Sequence, residues 1–177
     1  MKDLSLHILD IAQNSVKAGA KLIDVTLLEN ADSLVITITD DGRGMSPEFL
    51  KTVTDPFVTT RTTRKVGLGL PLYRQAAELT GGSLDIASSP GSGTTVRAVF
   101  FTGHIDCPPL GDLPATVQTL VQGAPDIDFH YRHEKCGKAS RLDTREMRGA
   151  LGGVPLCEAE VLNWIYESLK ESEETLL

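Results

Sequence analysis

The chain has 177 residues, with 17 Lys and Arg against 24 Asp and Glu, so its formal net charge is −7, and 41% of its residues are hydrophobic. This balance is typical of a globular protein with one domain, or with one domain and a sizeable extension. The acidity argues against a dedicated nucleic-acid binder, and no apolar run approaches the ~18 residues of a membrane span. Three Cys are too few for a disulfide scaffold. We therefore expect a cytoplasmic protein that binds neither nucleic acid nor membrane.

The first 101 residues predict helices and strands in a clear order, because helical spacing of apolar residues indicates helices and alternation indicates strands. In chain order these are a helix over 4–19, strands over 22–29 and 34–39, a short helix ending near 53, a loop over 54–69, a helix over 70–80, and strands over 83–88 and 94–101. Helices on one face of a mixed sheet would bury this pattern, which predicts an α+β protein with two layers.

The remaining residues carry most of the acidity. Residues 1–101 hold 10 basic and 11 acidic side chains, whereas residues 102–177 hold 7 and 13. We predict a linker over 102–114 and a small acidic α+β extension over 115–177. Its elements are a helix over 115–122, a hairpin of strands 127–134 and 138–143, a short helix capped by Thr144, and a helix over 158–170. The hairpin would either extend the first sheet or form a separate layer.

The extension holds His130, His133 and Cys136 at intervals of three residues. In a strand the two histidines would point to opposite faces, and no Cys-x-x-Cys pair accompanies them. We therefore expect no zinc site there.

Two segments of the first part place carboxylates where chemistry is possible. Asp10 and Asn14 stand four residues apart and so share one helix face. Asp40 ends an apolar strand and is followed by Gly42 and Gly44, which let the backbone turn tightly or approach a ligand. A carboxylate in that position can accept an exocyclic amine. Taken singly, the first pair also fits a solvated surface and the second an ordinary acidic turn.

A third segment, Gly67-Leu68-Gly69-Leu70, opens a helix. Free backbone N–H groups and the helix dipole suit an anion such as phosphate at such a point. The segment is not a P-loop, since no Gly-Lys-Ser/Thr follows it.

In this order the three segments resemble the ATP-binding domain shared by gyrase, chaperones, histidine kinases and mismatch-repair proteins, the Bergerat fold. The resemblance covers about residues 3–101 and is closest to sensor histidine kinase catalytic domains from residue 55 onward. There the segments 55–61, 67–70, 80–84 and 89–95 are similar to the ordered boxes of the kinases. The resemblance implies helices on one face of a mixed, mainly antiparallel sheet, with ATP and Mg²⁺ as cofactors.

The resemblance also implies roles for individual residues. Asn14 would help to bind Mg²⁺, Asp40 would accept the adenine amino group, and Thr94 would support the adenine. Gly42 and Gly44 would let the chain pass close to the base. The phosphates and the lid over them would involve the remaining positions, which are Phe57, Thr59, Thr60, Arg61, Gly67, Leu68, Gly69 and Leu70.

Asp10 departs from the kinase pattern. Its position carries a Glu general base in the gyrase and mismatch-repair branch and usually Asn in sensor histidine kinases. A carboxylate here can orient or deprotonate a nucleophile, although Asp is one methylene shorter than Glu. We interpret Asp10 as the candidate catalytic residue.

We find no good candidate in this sequence for the phospho-accepting histidine of a sensor kinase. His7 is followed by Ile8 and Leu9 rather than by an acid, so we expect the acceptor on a separate protein partner. Two functions remain open. One is a stand-alone Mg-ATP-dependent protein kinase or ATPase in signalling, and the alternative is a non-catalytic ATP sensor that regulates a partner.

Overall fold

The computed structural model describes residues 3–53 and 69–177. The first part contains helix α1 (Leu4–Lys17), strands β1 (Leu22–Glu29) and β2 (Ser33–Asp40), helices α2 (Pro47–Thr52) and α3 (Gly69–Leu79), and strands β3 (Ser83–Ser88) and β4 (Thr94–Phe101). The later part contains helix α4 (Leu113–Gly123), strands β5 (Asp128–Lys135) and β6 (Lys138–Asp143), and helices α5 (Thr144–Leu151) and α6 (Ala159–Glu174). The loop predicted over 54–69 lies outside the described residues except for Gly69, which begins α3.

The strands form one six-stranded sheet in the order β3-β4-β2-β1-β5-β6. All neighbouring pairs are antiparallel except β1 and β5, which are parallel. The predicted mixed, mainly antiparallel sheet is therefore confirmed. Of the two arrangements left open for the hairpin, β5 and β6 adopt the first, since they extend the sheet at the β1 edge.

One face of the sheet carries the core. In β1 and β2 alternate residues are buried, including Ile23 and Leu27 in β1 and Ile36 in β2. Helix α1 places Ile8 and Ile11 in the same core cluster. This period-two burial is what a sheet with helices packed against one face requires.

The core continues into the later part of the chain. Val121 of α4 and Ile165 of α6 are fully buried in the same cluster as the α1 side chains. The Gln118 side chain of α4 donates to the Leu162 carbonyl of α6 at 2.9 Å. Backbone amides of Leu4 and Ser5 donate to the carbonyls of Pro109 and Leu110, so the predicted linker packs along the start of α1.

One predicted helix cap is wrong. Asp143, not Thr144, is the N-cap of α5, because its carboxylate accepts from the Arg145 amide at 2.9 Å. Thr144 is the first helical residue. Its buried hydroxyl instead accepts from the Phe129 amide of β5 and donates to Asp128. Its hydroxyl thereby ties α5 to the sheet.

Several helix bounds also shift, and helix α1 ends at Lys17, two residues before the predicted end at 19. Helix α4 begins at Leu113, two residues before the predicted start, because Asp112 caps it and accepts from the Ala115 amide. Helix α6 runs to Glu174, past the predicted end at 170. Among the helices that the structure describes, none is both long enough and apolar enough to cross a membrane.

Candidate functional site

A cavity of about 370 Å³, called here the first cavity, lies where several elements of the first part meet. Its lining includes Asn14 of α1, Asp40 at the end of β2, Thr94 at the start of β4 and Leu70 in the first turn of α3. Gly44 lines it from the turn that follows β2. This volume lies in the range of small-ligand pockets. Five of the predicted site residues are thus brought to one place.

Asp40 is the buried charged group of the first cavity, with 8% of its surface exposed. The alternation of β2 turns it to the core face. Its Oδ2 accepts from the Ser15 hydroxyl at 2.6 Å, and its Oδ1 accepts from the Gly42 amide at 2.9 Å. Each carboxylate oxygen has a second lone pair, so the fixed carboxylate still has acceptor capacity for a ligand.

Thr94 lies directly opposite Asp40 in the β2–β4 register. Its hydroxyl lies 2.9 Å from the Ser88 hydroxyl. Ser88 donates its single hydroxyl proton to the Gly93 carbonyl and accepts from the Met45 amide. Thr94 must therefore donate to Ser88, which leaves the Thr94 lone pairs as acceptors beside the cavity.

The two glycines after β2 are required by close packing. A Cβ on Gly44, whose φ is +68°, would lie 1.9 Å from the Ser89 carbonyl oxygen. A Cβ on Gly42 would lie 3.0 Å from both Ala18 and the Asp40 carboxylate. The turn therefore rests directly on the β3–β4 hairpin and on the end of α1, which fixes the position of Asp40.

Asp10 lies one turn of α1 before Asn14 and is half-buried. A Cβ on Gly69 would come within 1.7 Å of its Oδ2, so the carboxylate packs against the first residue of α3. An anion is stabilised at this end of a helix. Asp10 is not among the residues that line the first cavity.

The family whose description is "Histidine kinase-, DNA gyrase B-, and HSP90-like ATPase" matches residues 2–103, more than half of the chain. The chain belongs to this family. The predicted resemblance to histidine-kinase-like ATP-binding domains is confirmed, and ATP binding is the activity that the family shares.

Curated relatives of this ATPase domain are bacterial sensor proteins. The sensor histidine kinase YxdK of Bacillus subtilis is 32% identical over 108 residues, which are 57% of this chain and 33% of that protein. The sensor protein SrrB of Staphylococcus aureus is 35% identical over 100 residues, 54% of this chain and 17% of that protein. The chain thus spans a third or less of the length of these relatives.

A solved structure described as the N-terminal domain of a DNA repair protein shares the fold. It superposes with a TM-score of 0.56 at 16% identity and covers 81% of this chain and 53% of that chain. At this identity the likeness shows the fold alone.

Several residues predicted for the ATPase site lie outside the described residues: Phe57, Thr59, Thr60, Arg61, Gly67 and Leu68. Lys17 and Arg43, by contrast, are exposed cations that line the first cavity and suit an anionic ligand. Asn14 offers a carboxamide oxygen, a ligand type that Mg²⁺ accepts. Within residues 3–53 and 69–177, no three His, Cys, Asp or Glu side chains are arranged to hold a metal ion.

Sequence reasoning missed Ser15 and Ser88. Ser15 occupies an apolar position of α1 and is 4% exposed. A serine among buried apolar positions signals that its hydroxyl needs a partner, because buried polar groups are almost always hydrogen-bonded. Ser88, at the end of β3, gives no comparable signal.

His7 is a packed residue of the ATPase domain. It is 3% exposed and its ring stacks on that of Tyr73 with centroids 5.1 Å apart. Burial lowers its pKa below the ordinary 6.5. A buried, neutral ring is poorly placed to receive a phosphoryl group.

Proposed function

We propose that the first cavity binds Mg-ATP, with Asp40 accepting the adenine amino group. The observation that carries this proposal is the Asp40 carboxylate itself, buried in the cavity of a domain whose family binds ATP and fixed by Ser15 and Gly42. A buried acceptor of this kind favours a base with an exocyclic amine, since a base without one leaves the carboxylate unpaired.

The rest of the cavity suits the other parts of the nucleotide. Thr94 offers acceptor lone pairs beside Asp40, and Met45 and Val96 provide apolar walls for the base. The first turn of α3 presents backbone N–H groups of the kind that bind phosphate. Gly69 and Leu70 belong to that turn, and roles for the six site residues outside the described part stay predictions.

Asn14 is the residue that would hold Mg²⁺, together with phosphate oxygens and water. When bound, the ion neutralises phosphate charge and polarises the phosphoryl oxygens. The protein itself supplies one carboxamide oxygen and the cations Lys17 and Arg43 at the cavity wall.

We propose further that the protein is a kinase or ATPase acting on a separate partner protein. Asp10 of α1 is the candidate catalytic residue, since its carboxylate packs against Gly69 at the start of α3, where the phosphates are expected. A carboxylate there can orient or deprotonate a hydroxyl, a water or a partner's side chain. The similarity to sensor histidine kinases supports phosphotransfer over other chemistries.

One observation favours the alternative of a non-catalytic ATP sensor. The Asp10 carboxylate packs against Gly69 and does not line the first cavity. In a sensor Asp10 would serve to position α3. A conformational change caused by nucleotide binding at the start of α3 would then pass along that helix.

Turnover of purified protein with Mg-ATP, with and without candidate partners, separates the two functions. The enzyme proposal expects phosphate release or transfer, and expects Asp10→Asn to keep ATP binding while losing most of the turnover, about 100-fold or more. If the wild type binds ATP but shows no turnover, the result would support the ATP sensor and contradict the enzyme. Turnover unchanged in Asp10→Asn would remove Asp10 from catalysis.

A further inference from the structure

The Asp40 end of the first cavity is formed by side-chain oxygens, and the direction of each hydroxyl proton there matters for a ligand. Ser15 and Thr94 line the cavity together with Asp40. The Ser15 hydroxyl donates its proton to Oδ2 of Asp40 at 2.6 Å, and a carboxylate only accepts. The hydroxyl of Thr94 therefore decides whether this end of the cavity holds a side-chain donor.

Ser88 sets the direction of the Thr94 proton from outside the cavity. It ends β3, directly opposite Thr94 in the β3–β4 register, and of the described residues it is not one that lines the first cavity. Its Oγ accepts from the Met45 amide at 2.8 Å and donates to the Gly93 carbonyl at 2.9 Å. Because this bond uses the only proton of Ser88, the Thr94 hydroxyl 2.9 Å away must donate to Ser88. The Thr94 proton therefore points away from the cavity.

The two backbone partners of the Ser88 hydroxyl belong to closely packed segments. A Cβ on Gly44, directly before the donating amide, would lie 1.9 Å from the Ser89 carbonyl oxygen. A Cβ on Gly93, which carries the accepting carbonyl, would lie 1.9 Å from the Asp40 carbonyl oxygen. These contacts hold both segments against their neighbours and so fix the groups that orient the Ser88 proton.

This arrangement gives the base two neighbouring acceptors, because Asp40 and Thr94 lie opposite each other in the β2–β4 register. An amino group on the base brings two N–H donors to them. An oxo group in the same place brings a third acceptor and no proton. Since unpaired polar groups cost affinity, the orientation of Thr94 adds to the preference for an amino group that Asp40 already provides.

We propose that Ser88 is a positioning residue that makes the base site reject purine nucleotides with an oxo group in place of the adenine amino group. It does so by holding the Thr94 proton away from the base. The inference rests on the proposed binding of Mg-ATP in the first cavity. Without Ser88, the Thr94 hydroxyl is free to turn and donate to an oxo group, while its lone pairs still serve an amino group.

The test compares three nucleotides, each with Mg²⁺, in calorimetric titrations of the full chain. Inosine triphosphate carries an oxo group where ATP has its amino group, and purine riboside triphosphate carries only hydrogen there. The wild type should bind ATP at least about 100-fold more tightly than inosine triphosphate. In Ser88→Ala this ratio should fall about tenfold. The ratio of ATP to purine riboside triphosphate should stay within about twofold of the wild-type value, because a hydrogen cannot accept the freed Thr94 proton.

Two results in this comparison would overturn the proposal. One is an unchanged ratio of ATP to inosine triphosphate in folded Ser88→Ala. The other is an equal fall in both ratios, which would show that Ser88 only supports the loop. Ser88→Thr keeps the hydroxyl and should restore the wild-type ratios. Ser89→Ala removes the next hydroxyl, which is exposed, and should leave both ratios unchanged.

Thr94→Val tests whether Ser88 acts through Thr94. In that background Ser88→Ala should no longer change the ratio of ATP to inosine triphosphate, since the proton it controls is gone. If Ser88→Ala does not fold, Thr94→Val alone decides. It should strengthen the binding of inosine triphosphate about threefold by removing an acceptor that faces the oxo group. Unchanged or weaker binding of inosine triphosphate in Thr94→Val would overturn the proposal.

The same titrations separate this inference from the proposed function. A wild type that binds no ATP would refute the nucleotide site itself. ATP binding that is lost in Asp40→Asn, together with unchanged ratios in Ser88→Ala, would refute only the role of Ser88.

Discussion

Two adjacent carboxylates at the end of β2, those of Asp40 and Asp41, have different structural roles. Asp40 is buried and accepts from Ser15 and Gly42. Asp41 is exposed and accepts from the backbone amides of Lys21 and Leu22. The bond from Leu22, followed by that from Lys21, lowers the pKa of Asp41 below its ordinary value. Asp41 thus stabilises the turn between α1 and β1, whereas Asp40 lines the first cavity.

Only part of this arrangement could be predicted at the level of residues. The strand end and the glycines after it point to Asp40. Ser15 could not be assigned, because its partner Asp40 lies 25 residues away in the chain, and the Met45 amide that donates to Ser88 lies 43 residues away from it. The hydrogen-bond partner of such a hydroxyl can be identified only once the fold brings the two residues together.

The buried His7 predicts a loss of stability in mild acid. Burial lowers its pKa below 6.5 in the folded protein, so the unfolded chain takes up the proton first as the pH falls. The stability contribution is complete above pH 6.5 and declines below it. Between about pH 7.5 and 5.5 the free energy of unfolding should fall by up to about 1 kcal/mol more in the wild type than in His7→Phe.

Urea unfolding of both proteins at the two pH values measures this difference. Phe keeps the ring that stacks on Tyr73 and removes the titrating group. An equal fall in both proteins would show that His7 does not titrate in this window.

At the scale of elements, the β3–β4 hairpin supports the site through a close backbone contact. Gly93 has a φ of +79°, and a Cβ there would lie 1.9 Å from the carbonyl oxygen of Asp40. Gly91 in the same loop has a φ of +78° with nothing within 4 Å of a Cβ. Both positions would therefore strain an alanine backbone, and only the Cβ at position 93 would also clash with a neighbouring atom.

This contrast predicts unequal effects of two alanine substitutions. Gly91→Ala should cost about 1 kcal/mol of unfolding free energy through its left-handed backbone alone. Gly93→Ala should cost roughly 3 kcal/mol, because the loop must also move away from β2. Denaturant unfolding of both variants measures the difference, and equal costs would contradict the packing described here.

Strands were the most predictable elements. The bounds of β1, β3 and β4 match the predicted ranges 22–29, 83–88 and 94–101. Each alternates because it is half-buried, and turn residues bound each one. The α5 cap was mispredicted because Asp143 and Thr144 are both good caps, and only the contact of Thr144 with β5 distinguishes them.

At the scale of the whole molecule, the sheet and core cross the predicted boundary at residue 102. The parallel pairing of β1 with β5 joins residues about 100 positions apart. Because no tight turn connects two parallel strands, the position of the β5–β6 hairpin could not be predicted from local sequence. Glu173 illustrates the same limit. It lies beyond the predicted end of the last helix at residue 170, yet in α6 it bonds to His133 and Tyr131.

The shared core predicts that the first part does not fold stably alone. A chain ending at residue 103 loses α4, β5, β6, α5 and α6, which removes a large share of the core cluster and leaves the edge of β1 unpaired. We expect such a truncation to unfold without cooperativity or to aggregate, as circular dichroism during heating would show. Cooperative unfolding of the truncated chain with retained ATP binding would establish the first part as an independent domain.

The most direct test of the account is ATP affinity in Asp40→Asn, with Asp41→Asn as the matched control. Calorimetric titration with Mg-ATP should show binding to the wild type and to Asp41→Asn. It should show a loss of about 100-fold or more in Asp40→Asn, because a carboxamide presents a donor or a weaker acceptor to the adenine amine. Circular dichroism checks that both variants are folded. Wild-type affinity in a folded Asp40→Asn would contradict the proposed site.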